Sequence, residues 1–115
     1  MKSAAPRVVK EAEQLMRSEQ PQTVSLIAKR LGVSLRALEL GFREYRRSTP
    51  AQFLRRTQLE AARTQLLAAE AATTVTSVAL ANGFAHLARF AGYYRAAFDE
   101  YPSETLNRSR RRGKS

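Results

Sequence analysis

The chain has 115 residues, enough for one compact core and too few for a second large domain. Lysine and arginine number 20 against 10 acids, and the net charge of +10 favours a polyanionic partner, either nucleic acid or an anionic membrane face. Without cysteine there can be no disulfide framework and no thiolate metal site, and without a run of about 18 apolar residues or an apolar leader a cytoplasmic protein is expected.

Apolar residues recur at spacings of three and four between few glycines and prolines, which predicts an all-α fold of about seven helices. The first is expected over 6–18, with Val8, Val9, Ala12, Leu15 and Met16 on one face and Pro21 ending the region. Thr23 can cap a short helix over 24–31, which Gly32 stops. Ser34 then caps a third helix whose Leu35, Leu38, Phe42 and Tyr45 fall on one side and are expected to be buried. Thr49, Pro50 and Gln52 form a capping box with proline at the first helical position. They start the longest helix, over 50–69, about 28 Å at 1.5 Å per residue. Residues 68–74 read as a linker in which threonines cluster. A fifth helix follows over 75–82, ending at Gly83, and then a sixth over 85–98 with Leu87, Phe90, Tyr94 and Ala97 inward. A last helix begins near Pro102, and the basic run Arg108, Arg110, Arg111, Arg112 and Lys114 is expected to be a disordered tail over 109–115.

The chain repeats itself. Ala28 and Ala79 lie 51 residues apart, as do Gly32 and Gly83, whereas Phe42 and Tyr94, and Pro50 and Pro102, lie 52 apart. The second copy therefore holds one extra residue between its glycine and its aromatic. Each copy has a helix-turn-helix layout, with a small residue where the second helix crosses the first and a glycine at the turn. An ordinary helical hairpin would explain one copy; it explains two copies in a strongly basic chain poorly.

These residues resemble the DNA-binding domain of the AraC/XylS family of bacterial transcription regulators over nearly the whole chain. The resemblance rests on Ile27, Ala28, Gly32, Val33 and Ser34; on Phe42, Arg43, Ser48, Thr49 and Pro50; on Phe53, Leu54, Arg55 and Arg56 with Leu59, Glu60, Ala61, Ala62 and Arg63; and on Val78, Ala79, Gly83, Phe84, Phe98 and Pro102. It implies a single domain over 1–108, homeodomain-like, with helix-turn-helix subdomains over 6–48 and 73–108 joined by the helix over 50–69. It also implies that the third and sixth helices enter successive major-groove segments of double-stranded DNA. Promoter control, often by activation through RNA polymerase, and a separate sensor and dimerisation domain follow from the same resemblance. These residues hold no sensor, so the chain is either the C-terminal part of a longer regulator or a short stand-alone member. Arg47 and Asp99 stand where the family usually has glycine, Tyr101 where it has a serine or threonine cap, and Gln58 where it has arginine.

Helical geometry ranks the readers independently. Opposite the Leu38 and Phe42 stripe lie Arg36, Leu40, Arg43 and Arg47, a surface rich in the residue best suited to bidentate guanine contacts. The equivalent residues of the second copy, Ala88, Gly92, Arg95 and Asp99, make a smaller and less basic surface, on which Ala88 could touch a thymine methyl. The expected DNA-binding set is Ser34, Arg36, Ala37, Leu40, Arg43 and Arg47 on the first recognition helix. On the second it is Ala85, His86, Ala88, Arg89, Gly92 and Arg95, with Thr23, Arg55 and Arg56 as candidate phosphate contacts. Each arginine other than Arg36 could equally serve a phosphate or solvent, and Glu39 reads as helix surface.

An enzyme is not expected: there is one histidine, no phosphate-cradling loop and no clustered acids, so neither a metal nor another cofactor is implied. The remaining rival is a basic amphipathic module that binds a membrane surface or a partner protein. It would need an exposed apolar stripe, whereas the stripes here pair off as mutual core.

Overall fold

The computed structural model describes residues 2–18 and 23–112; Pro21 and Lys114 lie outside them. Seven helices and no strands occur among these residues: α1 (Pro6–Met16), α2 (Val24–Arg30), α3 (Leu35–Arg46), α4 (Pro50–Leu67), α5 (Val75–Ala81), α6 (Leu87–Phe98) and α7 (Pro102–Arg112). They group into two compact units, Met1–Thr57 and Gln58–Ser115, and the division falls inside α4. The helix read as a separate linker therefore gives its first half to one unit and its second half to the other.

In the first unit α1 and α2 pack on α3, and Val9, Ala12, Met16, Ile27, Ala28, Leu38, Phe42 and Leu54 close the core. In the second, Leu59, Ala62 and Leu66 of α4 join Val78, Ala79, Phe84, Phe90, Tyr94 and Leu106 from α5, α6, α7 and the turn between α5 and α6. The repeat is visible atom by atom. After α2, Gly32 takes a left-handed φ of 69°, and Val33 N–H donates to the Ala28 carbonyl at 3.1 Å. After α5, Gly83 takes φ 89°, and Phe84 N–H donates to the Ala79 carbonyl at 2.9 Å. Both turns are Schellman caps, which glycine enters without a steric penalty. The extra residue of the second copy lies directly after this turn, because Ser34 caps α3 two residues past its glycine and His86 precedes α6 three residues past its own.

Local chemistry sets most of the other helix starts. Thr23 Oγ1 accepts from Leu26 N–H, and Ser34 Oγ from Ala37 N–H. Thr49 and Gln52 exchange both bonds of the predicted capping box at 3.0 Å each. The threonines read as linker include a second box, in which Thr74 and Ser77 cap α5 reciprocally.

Several expectations need correction. The helix over 85–98 starts at Leu87, so Ala85 lies in the preceding turn. Leu35, Tyr45 and Leu87 are expected inward, yet Leu35 and Leu87 are each 43% exposed and Tyr45 is 38% exposed. All three point along the buried stripe but sit in the first or last turn of their helix, beyond the reach of the helices that cover its middle. The basic run over 109–112 is not a disordered tail. It completes α7, where Arg110, Arg111 and Arg112 suit the negative end of the helix dipole, and the Arg110 guanidinium donates to the Thr73 carbonyl.

Two helical glycines separate packing from other demands. A Cβ on Gly41 would lie 2.9 Å from Val9 Cγ2 and 3.0 Å from the Ala4 carbonyl, whereas one on Gly92 would meet nothing within 4 Å. Gly41→Ala is therefore expected to destabilise the chain by about 1–2 kcal/mol, because a backbone oxygen must move. Gly92→Ala is expected to stabilise it by about 1 kcal/mol through helix propensity. Urea unfolding midpoints moving in opposite directions check the pair.

Candidate nucleic-acid interface

The pose of α3 is fixed from behind. Glu13 lies on the apolar face of α1, four residues from Val9, and is buried. Arg46, in the last turn of α3, donates to it through Nε at 2.9 Å and Nη2 at 2.6 Å, a bidentate pair between the two helices. This hydrogen bond, reinforced by the charges of Arg46, Arg17 and Lys10, outweighs the cost of burial and holds the Glu13 carboxyl below the usual range.

The solvent side of α3 carries the predicted stripe. Arg36, Arg43 and Arg47 are exposed, and Ala37 and Leu40 are half-buried. With Glu39 and Gln52, the three arginines and Leu40 line a recess of about 180 Å³ at the corner between α3 and α4. Glu39, which reads from the sequence as plain helix surface, is part of this recess, and the box that ties Gln52 to Thr49 brings Gln52, which helical periodicity does not place here, to the same corner. The guanidinium groups of Arg36, Arg43 and Arg47 hold no hydrogen bond or ion pair among the described residues, whereas Arg46 and Arg108 are committed to acids.

The solvent side of α6 is different. Ala85, His86, Ala88, Arg89, Gly92 and Arg95 are all exposed. His86 is the N-cap residue but accepts no side-chain capping bond, so its imidazole is not spent on the helix end. Arg95 lies over the Tyr101 ring, with Cζ 4.9 Å from the centroid, which holds its charge against α7. Apart from His86 and Arg89, the remaining face is small side chains and one glycine that no neighbour requires. Among the candidate phosphate contacts, Thr23 accepts from Leu26 N–H and retains its own hydroxyl proton, Arg56 is exposed and Arg55 is half-buried.

A relay fixes the end of α6. Tyr94 Oη donates to Thr105 Oγ1 at 2.8 Å, Thr105 donates to Glu100 Oε2 at 2.9 Å, and Arg108 donates to the same oxygen at 2.7 Å. The bond from Arg108, with that from Thr105 and the charges of Arg108 and Arg63, overcomes desolvation and pulls the Glu100 carboxyl down from 4.5 to about 2. A carboxyl depressed in the folded state stabilises it fully above its unfolded value and loses that contribution as pH falls. The second unit is therefore expected to lose stability from about pH 4.5 down to about pH 2. Glu100→Gln should be less stable than wild type near neutrality and converge with it across that window, as thermal unfolding at stepped pH would show.

Among the described residues no helix is long and apolar enough to cross a membrane. No group of three or more His, Cys, Asp or Glu residues among them could hold a metal.

The helix-turn-helix domain family matches residues 27–108. The probable thc operon regulatory protein of Rhodococcus erythropolis is 39% identical over 108 residues, 91% of this chain and 32% of that protein. The XylDLEGF operon transcriptional activator of Pseudomonas putida is 39% identical over 80 residues, 69% of this chain and 25% of that protein. The crystal structure of a probable AraC family transcriptional regulator from Rhodopseudomonas palustris CGA009 is similar with a TM-score of 0.81 and 34% identity, covering 90% of this chain and 97% of that one. The chain belongs to the helix-turn-helix domain family and, within it, is a DNA-binding domain of the AraC/XylS type. It spans about a quarter to a third of the length of these curated relatives.

Proposed function

We propose that the chain reads double-stranded DNA by sequence, with α3 and α6 as two unlike recognition helices in successive major-groove segments, and acts in transcription regulation in the bacterial cytoplasm, on the nucleoid. The observation that carries this reading is the row of arginines on α3 whose guanidinium groups are committed to nothing else among the described residues. Arg36, in the first turn of α3, is the guanine reader, since a guanidinium matches guanine O6 and N7 bidentately. Arg43 and Leu40 extend the face, and Ser34 and Ala37 edge it. On α6, Ala88 meets a thymine methyl, Gly92 lets the backbone approach, and His86, Arg89 and Arg95 contribute polar contacts from the flanks, with Ala85 beside them. Thr23, Arg55 and Arg56 meet backbone phosphates, which position the chain without reading sequence.

Activation through RNA polymerase and a sensor domain in a longer chain belong to the same reading; the Pseudomonas putida relative carries the name of an operon transcriptional activator. The test sets duplex DNA against anionic vesicles. Duplex affinity should fall steeply and linearly in log salt, with a slope that counts the neutralised phosphates. Vesicle binding without duplex binding would favour the membrane-surface reading instead.

A further inference from the structure

Both recognition helices end on a residue that strains the backbone. Arg47 closes α3 at φ 54°, and Asp99 closes α6 at φ 59°. The two positions are 52 residues apart, so they are equivalent in the repeat. An L side chain in this left-handed conformation is disfavoured, and glycine would enter it unstrained. Within its own unit Arg47 gains nothing in return: it is exposed, and its guanidinium holds no bond or ion pair among the described residues. It lines the same recess as Arg36, Arg43 and Glu39, so three positive charges and one carboxylate meet there and the balance stays positive. Strain without an internal return points to a partner outside the chain, and that partner must be an anion. At the equivalent backbone position the second unit places a carboxylate, which repels the same anion.

We infer that Arg47 anchors a backbone phosphodiester at the end of the first reader, and that Asp99 weakens the second reader's hold by repelling the corresponding phosphate. One strained backbone position, filled with opposite charges, thus sets which unit carries the affinity. The inference rests on the DNA-binding reading and adds a division of labour to it.

The test compares Arg47→Gly, Asp99→Gly and Arg47→Gln in the full chain, by thermal unfolding and by affinity for a mixed-sequence duplex of about 30 base pairs across a salt series. Arg47→Gly relieves strain and should raise Tm by about 3–5 °C, and Asp99→Gly should raise it by less, because aspartate tolerates the left-handed region better than arginine. Their affinities should part: Arg47→Gly should bind about 3- to 10-fold more weakly with a log–log salt slope shallower by about 0.9, and Asp99→Gly should bind about 2- to 5-fold more tightly. Arg47→Gln keeps a side chain in the strained position and removes only the charge, so it should lose the same slope at unchanged Tm. Wild-type affinity and slope in both Arg47 variants, or weaker binding by Asp99→Gly, overturns the inference alone. A wild-type chain without salt-dependent duplex affinity overturns the DNA-binding reading and this inference with it.

Discussion

Arg36→Ala is expected to weaken binding to a preferred duplex by about 10- to 100-fold, the 1–3 kcal/mol that one bidentate guanine contact discriminates. Affinity for unrelated duplex should change far less, because phosphate contacts supply that term and Arg36 is proposed to read a base. Folding should be untouched: Arg36 is exposed, and its guanidinium holds no bond or ion pair among the described residues. Competition binding with the preferred site and with a site changed at the guanine checks the assignment. If the variant loses affinity equally for both, Arg36 is a phosphate contact.

Phe42→Ala and Tyr94→Ala are expected to destabilise the chain by about 3–5 kcal/mol each, a large part of the roughly 5–15 kcal/mol typical of a folded domain. Both rings are fully buried at equivalent points of the two units. Phe42 stands edge-on to Phe53 at 5.8 Å, and Tyr94 lies between Phe90 at 5.7 Å and Phe98 at 4.7 Å. The two differ in their polar part. Tyr94→Phe keeps the ring but removes the donor to buried Thr105, and should cost about 1 kcal/mol. Urea unfolding of the three variants separates the ring from the hydroxyl, and a Tyr94→Phe loss as large as that of Tyr94→Ala would assign the stability to the relay instead of the core.

Much of this was legible in the chain because the repeat constrains itself. Gly32 and Gly83, with Ala28 and Ala79 behind them, announce the turns, since a Schellman cap needs a left-handed residue and a close helix crossing needs a small one. Thr49, Pro50 and Gln52 announce α4 for similarly local reasons. Helix ends away from such chemistry were less visible. His86 offers no capping bond, so nothing in the sequence separated Ala85 from the start of α6. Periodicity gives the direction of Leu35, Tyr45 and Leu87 but not whether a neighbour reaches that turn, which depends on tertiary packing. Glu13 carries a signal in the sequence itself: an acid in register with Val9, Ala12 and Met16 must find a cation, and Arg46 is that cation. The basic residues after Arg108 read as tail by composition, yet Arg110 is tied to Thr73 and α7 continues through Arg112.

The recognition surfaces were legible to the extent that they depend on one helix at a time. Arg36, Leu40, Arg43 and Arg47 share a face by helical geometry alone. The recess that joins them to Gln52 depends on the corner between α3 and α4, and Tyr101 beneath Arg95 depends on where α7 returns.

The central claim is that one chain carries two unlike readers, an arginine face on α3 and a small-residue face on α6. Selecting bound duplexes from a random pool tests it most directly. The expected result is two dissimilar half-sites in tandem, about one helical turn apart, with guanine prominent in one and thymine in the other. An inverted repeat of one half-site, or a single half-site with no preference about one turn away, would contradict it.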